Sequence, residues 1–189
     1  MSSPIEDPAC AVAHGHGPEA SQADAIAHGH APVPETAEKV IVAVFVTPVA
    51  RFLLRYAADA GYRAVLVEPD PERATTAKAE GLPLADSVDG FPAGAADVVV
   101  TDHHRPELGL MLRDALASDA RSVGIMGNPR HVGPHVAALT ELGVPPEEIG
   151  RVHRPIGINI GSRTPAEIAI STIAGLIADR NGKPGGFSF

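Results

Sequence analysis

The chain of 189 residues is short of several things, and each shortage removes a class of protein. A single cysteine, Cys10, excludes an internal disulfide framework and suits a reducing compartment. No segment approaches the ~18 consecutive apolar residues that a membrane-spanning helix needs. The longest candidate, KVIVAVFVTPVARFLL, is interrupted by Pro48 and Arg51. The first ten residues, MSSPIEDPAC, place acids and prolines where a signal peptide has a basic region and an apolar run. The cytoplasm is therefore the expected address, without a membrane partner. Lys and Arg form no runs and the net charge is −8, so nucleic acid backbones should be repelled. The apolar share of 44% suits one compact domain of about 140–150 residues with a tail.

Residues 1–37 have the composition of that tail, rich in Ala, Gly, Pro, Glu and Asp with few large apolar groups. Such a segment cannot offset its own ordering entropy and is expected to be flexible. It holds a weak duplication, AVAHGHG against AIAHGHA, which places His14, His16, His28 and His30 in two His-Gly-His pairs. Imidazole ligates zinc, nickel or copper, so the pairs are candidate ligands for a divalent metal. The competing reading is a polar leader whose histidines have no role.

From residue 38 the pattern changes to alternating strands and helices. KVIVAVFV (39–46), YRAVLVEP (62–69), AADVVVTD (95–102) and RSVGIMG (121–127) read as strands buried on both faces. Helices are expected at 48–61, 70–81, 105–118, 134–143 and 165–180, with LPLAD as a brief extended piece. In the first helix the expected apolar stripe is Val49, Phe52, Leu53, Tyr56 and Ala60. Helical crossovers between buried strands imply a doubly wound, mostly parallel α/β sheet in three layers, Rossmann-like in type. The expected domain spans 38–182, with 183–189 as a short flexible tail.

Ligands of such sheets sit beyond the C-terminal strand ends. The first of these ends lacks the glycine-rich turn that lets a backbone approach a pyrophosphate. It reads VFVTPVAR instead, with Thr47 as helix cap and Pro48 in the first turn. Glu68 ends the second strand and reads as a solvated acid; Asp70 reads as a helix cap. Asp102, His103 and His104 end the third strand together; the acid and one imidazole could share a metal or form an acid-base pair, or the group could contact a ligand, with capping of the next helix by Asp102 or His104 as the competing reading. In GNPRHVGPHV (127–136) a helix running through Pro134 would be broken, so it is expected to restart there. That leaves Gly127, Asn128, Arg130 and His131 on a loop able to receive phosphate or carboxylate. Before the last helix, Thr164-Pro165-Ala166-Glu167 is a capping box. Gly161, Ser162 and Arg163 precede it, and Arg offers planar multidentate bonds to an anion. Ile156, Ile158 and Ile160 alternate as anchors for that loop. His153 and Arg154 lie just upstream and are candidates for the same cleft. The alternative for Arg163 is a buried tie to a carbonyl or an acid.

One stretch carries a resemblance. RVHRPIGINIGSRTPAEIA (151–169) is similar to the RIHAPIGLDIGARTPEEIA-like text of the XdhC/CoxI accessory-protein domain, and a weaker likeness reaches back to about residue 38. The resemblance implies a Rossmann-like domain that assists maturation of molybdenum hydroxylases, such as xanthine or carbon monoxide dehydrogenases. It implies the molybdenum cofactor as ligand, a phosphate-bearing pterin or its dinucleotide form. It implies the apoenzyme or another maturation factor as partner. A homodimer is a candidate assembly apart from the resemblance. Where the family has a GAGHVA-like turn, this chain has FVTPVA (45–50), and Asn159 and Ser162 replace the usual Asp and Ala. No nucleophile-base-acid set stands out, so an accessory or binding role is expected in place of turnover. The alternative is a divergent NAD(P)-binding oxidoreductase-like protein.

Overall fold

A computed structural model describes residues 38–127 and 132–185. Val and Ile run without a break through VIVAV and recur in ADVVV, and β-branched side chains favour extended backbone. Strands apolar on both faces belong in the middle of a covered sheet. That is where β1 (Val40–Val44) and β3 (Ala96–Val100) lie, with every residue of both buried. The chain continues the alternation through α1 (Pro48–Asp59), β2 (Arg63–Val67), α2 (Pro71–Ala79), α3 (Leu108–Ala117), β4 (Ser122–Ile125), α4 (Pro134–Glu141), α5 (Pro146–Ile149), β5 (Val152–His153) and α6 (Pro165–Arg180).

The five strands are all parallel, in the order β2-β1-β3-β4-β5. Leu84 adds a single parallel bridge outside β2, through Leu66. Counted as a rudimentary strand, it turns the order into that of the doubly wound dinucleotide fold. Period-two alternation assigns the two cores. Val40, Val42, Val44, Val98 and Val100 face α3, α4 and α5. Ile41, Ala43 and Val99 face α1, α2 and α6. The three-layer α/β architecture thus stands as expected.

Two local readings need correction. The buried face of α1 is Ala50, Leu53, Leu54 and Ala57, while Phe52 is 36% exposed. Small alanines let α1 lie close to the sheet and to α6, which rotates the bulky Phe52 outward. Sequence reading also missed α5 and β5. At the opposite pole to the strand C-termini, Asp97 has no exposed surface and serves as a staple. It accepts hydrogen bonds from Ser122 Oγ (2.6 Å), Arg121 Nε (2.8 Å) and Arg180 Nε (2.8 Å), tying the end of α6 to the sheet.

Candidate functional site at the strand C-termini

The switch point of this sheet lies between β1 and β3, whose following connections leave in opposite directions. After β1 the chain turns at Phe45 with φ +72°, a backbone region that glycine normally occupies. The Phe45 ring is fully buried. Thr47 caps α1 by accepting the Ala50 N–H (3.0 Å), and its hydroxyl donates to Thr101 Oγ1 (3.0 Å). Glu68 is not the solvated acid that its position suggested. Its carboxylate is buried, accepting the N–H of Val46 (2.8 Å) and of Asp70 (3.1 Å). Its countercharge is Arg105, whose Nη2 and Nη1 donate to it at 2.9 and 3.3 Å. The Arg105 guanidinium lies over the Phe45 ring, 4.7 Å from its centroid, and also binds Glu107. Asp70 caps α2 as expected, through the N–H groups of Glu72 and Arg73.

Beyond β3, Asp102 Oδ1 accepts the His104 N–H at 2.9 Å, which makes the acid a turn-former. The His103 and His104 rings lie 4.1 Å apart. His103 is partly buried, and burial lowers its pKa first. The neighbouring His104 and Arg154 add to that effect, and Asp102 and the Met126 backbone oppose it. Neutral imidazole is thus the favoured state there.

Arg154 follows β5 and comes back over the end of β4. A Cβ added to Gly127 would stand 2.6 Å from Arg154 Nε and 2.9 Å from its Nη2. Gly127 is therefore the bare backbone against which the guanidinium rests. A Cβ on Gly133 would meet His135 Nδ1 at 2.3 Å and Arg154 Cδ at 2.8 Å. His135 is buried, and its pKa is lowered by burial and then by Arg154. Helix α4 does restart at Pro134, with Gly133 as its cap residue. A cavity of about 490 Å³ opens beside His135 and Arg154, floored by Ile149 and Val152.

The loop before α6 is built as its sequence suggests at the helix end. Thr164 and Glu167 form the reciprocal capping box. Glu167 also accepts the Arg163 N–H at 2.6 Å, and these backbone donors, Arg163 first, lower its pKa. Gly161 has φ +67° and donates to Asn159 Oδ1 at 3.3 Å. The Ser162 hydroxyl donates to the Glu167 carbonyl at 3.3 Å. The Arg163 residue is exposed, so it is not the buried tie that was the alternative. Ile156 packs on Gly124 of β4, whereas Ile160 is 49% exposed.

The structure therefore brings Arg154, His103 and Gly127 to one edge, with His135 behind them. Among the described residues no hydrogen bond or ion pair joins 161–163 to 102–104 or to Gly127. Asn128, Arg130 and His131 lie outside the described residues, as do His14, His16, His28 and His30. Arg105 was missed as a site residue; nothing local in RPELG marks it. Among the described residues there is no cluster of three or more metal-ligating side chains, and no helix is long and apolar enough to cross a membrane.

A parallel sheet with this strand order, and its switch point between β1 and β3, defines a Rossmann-type domain. The family model of the XdhC Rossmann domain matches residues 41–176, and the chain belongs to that family. It is 32% identical over 117 residues to the uncharacterized protein YqeB of Escherichia coli K12, a match that covers 61% of this chain and 21% of that protein. The chain thus spans about a fifth of that relative's length. A crystal structure described as a xanthine dehydrogenase from Bacillus halodurans shares the fold, with TM-score 0.61 and 20% identity over 78% of this chain and 46% of that one.

Proposed function

We propose that this domain serves the maturation of a molybdenum hydroxylase, holding the phosphate end of the pterin cofactor at the C-terminal edge of its sheet. The observation that supports this is the Arg154 guanidinium resting on Gly127 beside His103, where β4 and β5 end. Arg is the side chain suited to a multidentate phosphate contact, and the missing Cβ of Gly127 is what lets the guanidinium seat against the strand end. The fit extends to the phosphate and not to the metal. The described residues near this edge offer imidazoles, an arginine and backbone donors, with no metal-ligating cluster among them. When bound, the pterin itself carries the molybdenum. Arg154 and His103 would orient the phosphate, and Asn128, Arg130, His131 and the turn at Gly161, Ser162 and Arg163 would complete the rim.

The family supports the same setting, because its members are associated with molybdenum hydroxylase maturation. On this reading the domain works in the cytoplasm, without turnover of its own, and docks the apoenzyme or another maturation factor. The N-terminal His-Gly-His pairs are a separate proposal, tested by metal analysis of the full chain against one lacking residues 1–37. The NAD(P) alternative is less well supported, since Phe45 stands where a dinucleotide turn needs glycine. Mass spectrometry of protein purified anaerobically from a molybdenum-replete host tests the main reading. A retained pterin is expected; protein that carries no pterin under these conditions would overturn it.

A further inference from the structure

The dinucleotide fold normally keeps three things open at its switch point: a glycine turn after the first strand, an acid after the second and space between them. This chain has the acid, Glu68, but commits it elsewhere. One carboxylate oxygen takes the Val46 N–H, in the turn after β1. The other takes Asp70 N–H and Arg105 Nη2. Arg105 starts from the segment after β3, and Glu68 ends β2. Because β1 lies between β2 and β3, the arginine has to cross the C-terminal end of β1 to reach its partner. Its guanidinium does so over the Phe45 ring, at 4.7 Å. Both charged side chains are at least nine-tenths buried. The space that a nucleotide's ribose and pyrophosphate would need is thus spanned by a protein ion pair on an aromatic floor.

We propose that Arg105, Glu68 and Phe45 form a built-in closure of the switch point. They make this Rossmann domain reject dinucleotides there, and so determine its ligand specificity. Glu68 has no acceptor capacity left for a ribose diol without giving up Arg105 or a backbone N–H. A nucleotide would have to separate a buried ion pair, which leaves each charge without its partner. It would also have to displace a ring packed beneath the guanidinium. The closure stands independently of the pterin reading. Combined with that reading, it leaves no room at this crevice for the nucleotide arm of a dinucleotide cofactor and directs binding to the β4–β5 edge.

The test uses the full isotope-labelled chain, followed by amide NMR during titration with ADP, NAD and NADH. The Val46, Thr47, Asp70 and Arg105 amides should show no saturable shift at millimolar nucleotide. Saturable shifts of these amides would overturn the proposal; shifts confined to other amides would uphold the closure. A second measurement reads the role of Arg105 itself through hydrogen exchange of the Val46 amide. In Arg105→Ala this exchange should quicken by about tenfold or more, because the accepting carboxylate has lost its countercharge. If that variant does not fold, Arg105→Lys keeps the charge, loses the fork and is read in the same way. Unchanged protection of Val46 would show that Arg105 does not hold the crevice shut.

Discussion

Replacing Phe45 with glycine should harm the protein less than replacing it with alanine, the reverse of the usual order. Phe45 is fully buried, so removing its ring costs about 3–5 kcal/mol in either variant. What separates the two is the backbone. At φ +72° an L-residue carries strain of about 1–2 kcal/mol, which glycine does not. Glycine gives back about 0.5–1 kcal/mol through its larger entropy loss on folding. The difference leaves Phe45→Gly more stable than Phe45→Ala by about 0.5–1 kcal/mol, or roughly 2 °C in midpoint for a chain of this size. Parallel urea unfolding of the two variants measures it. Val46, which has no positive φ, supplies the control: there the glycine variant should fall below the alanine variant. If Phe45→Gly also falls below Phe45→Ala, residue 45 does not hold the left-handed backbone on which the closed turn depends.

Other consequences are smaller in scope. Asp97→Ala removes the shared countercharge of Arg121 and Arg180 at a fully buried position, so chemical denaturation should show a loss of about 3–5 kcal/mol. Gly175→Ala puts a Cβ 2.8 Å from the Gly157 Cα, a backbone atom that cannot step aside. It should cost about 1–3 kcal/mol by the same assay, although alanine is the better helix former. His135 has a folded-state pKa below its ordinary 6.5, first through burial and then through Arg154. The unfolded chain therefore binds the proton more readily. The contribution of His135 is whole above about pH 6.5 and is lost as pH falls from there through the folded pKa. His135→Gln should flatten the stability profile just below pH 6.5, before the carboxylates titrate; an unchanged slope there would contradict the assignment.

What could be read from the sequence was local. Thr47-Pro48, Asp70-Pro71 and Thr164-Pro165 announce helix starts because a cap and a first-turn proline act within four residues. All three caps are made, as is the restart at Pro134. The strands were legible because unbroken β-branched runs have few other fates. β5 has two residues and α5 four, too few for either period to show. The stripe of α1 was misplaced because its buried face is chosen by two neighbours, the sheet and α6, and not by side-chain size. The pairing of Glu68 with Arg105 joins positions 37 residues apart, and no spacing rule reaches that far. The candidate anion edge was half legible. Gly127 and His103 were found by the strand-end rule, while the importance of Arg154 appears only once β5 carries it back over β4.

Arg154 is the residue at that edge on which the proposed phosphate contact depends. Anaerobic equilibrium binding of the free phosphate-bearing pterin to the unmodified chain and to Arg154→Ala tests it most directly. The expected result is saturable binding by the unmodified chain, weakened about tenfold or more in the variant, equivalent to ~1.4 kcal/mol or more, with the fold unchanged. Equal affinity in both proteins, or no binding by either, would contradict it.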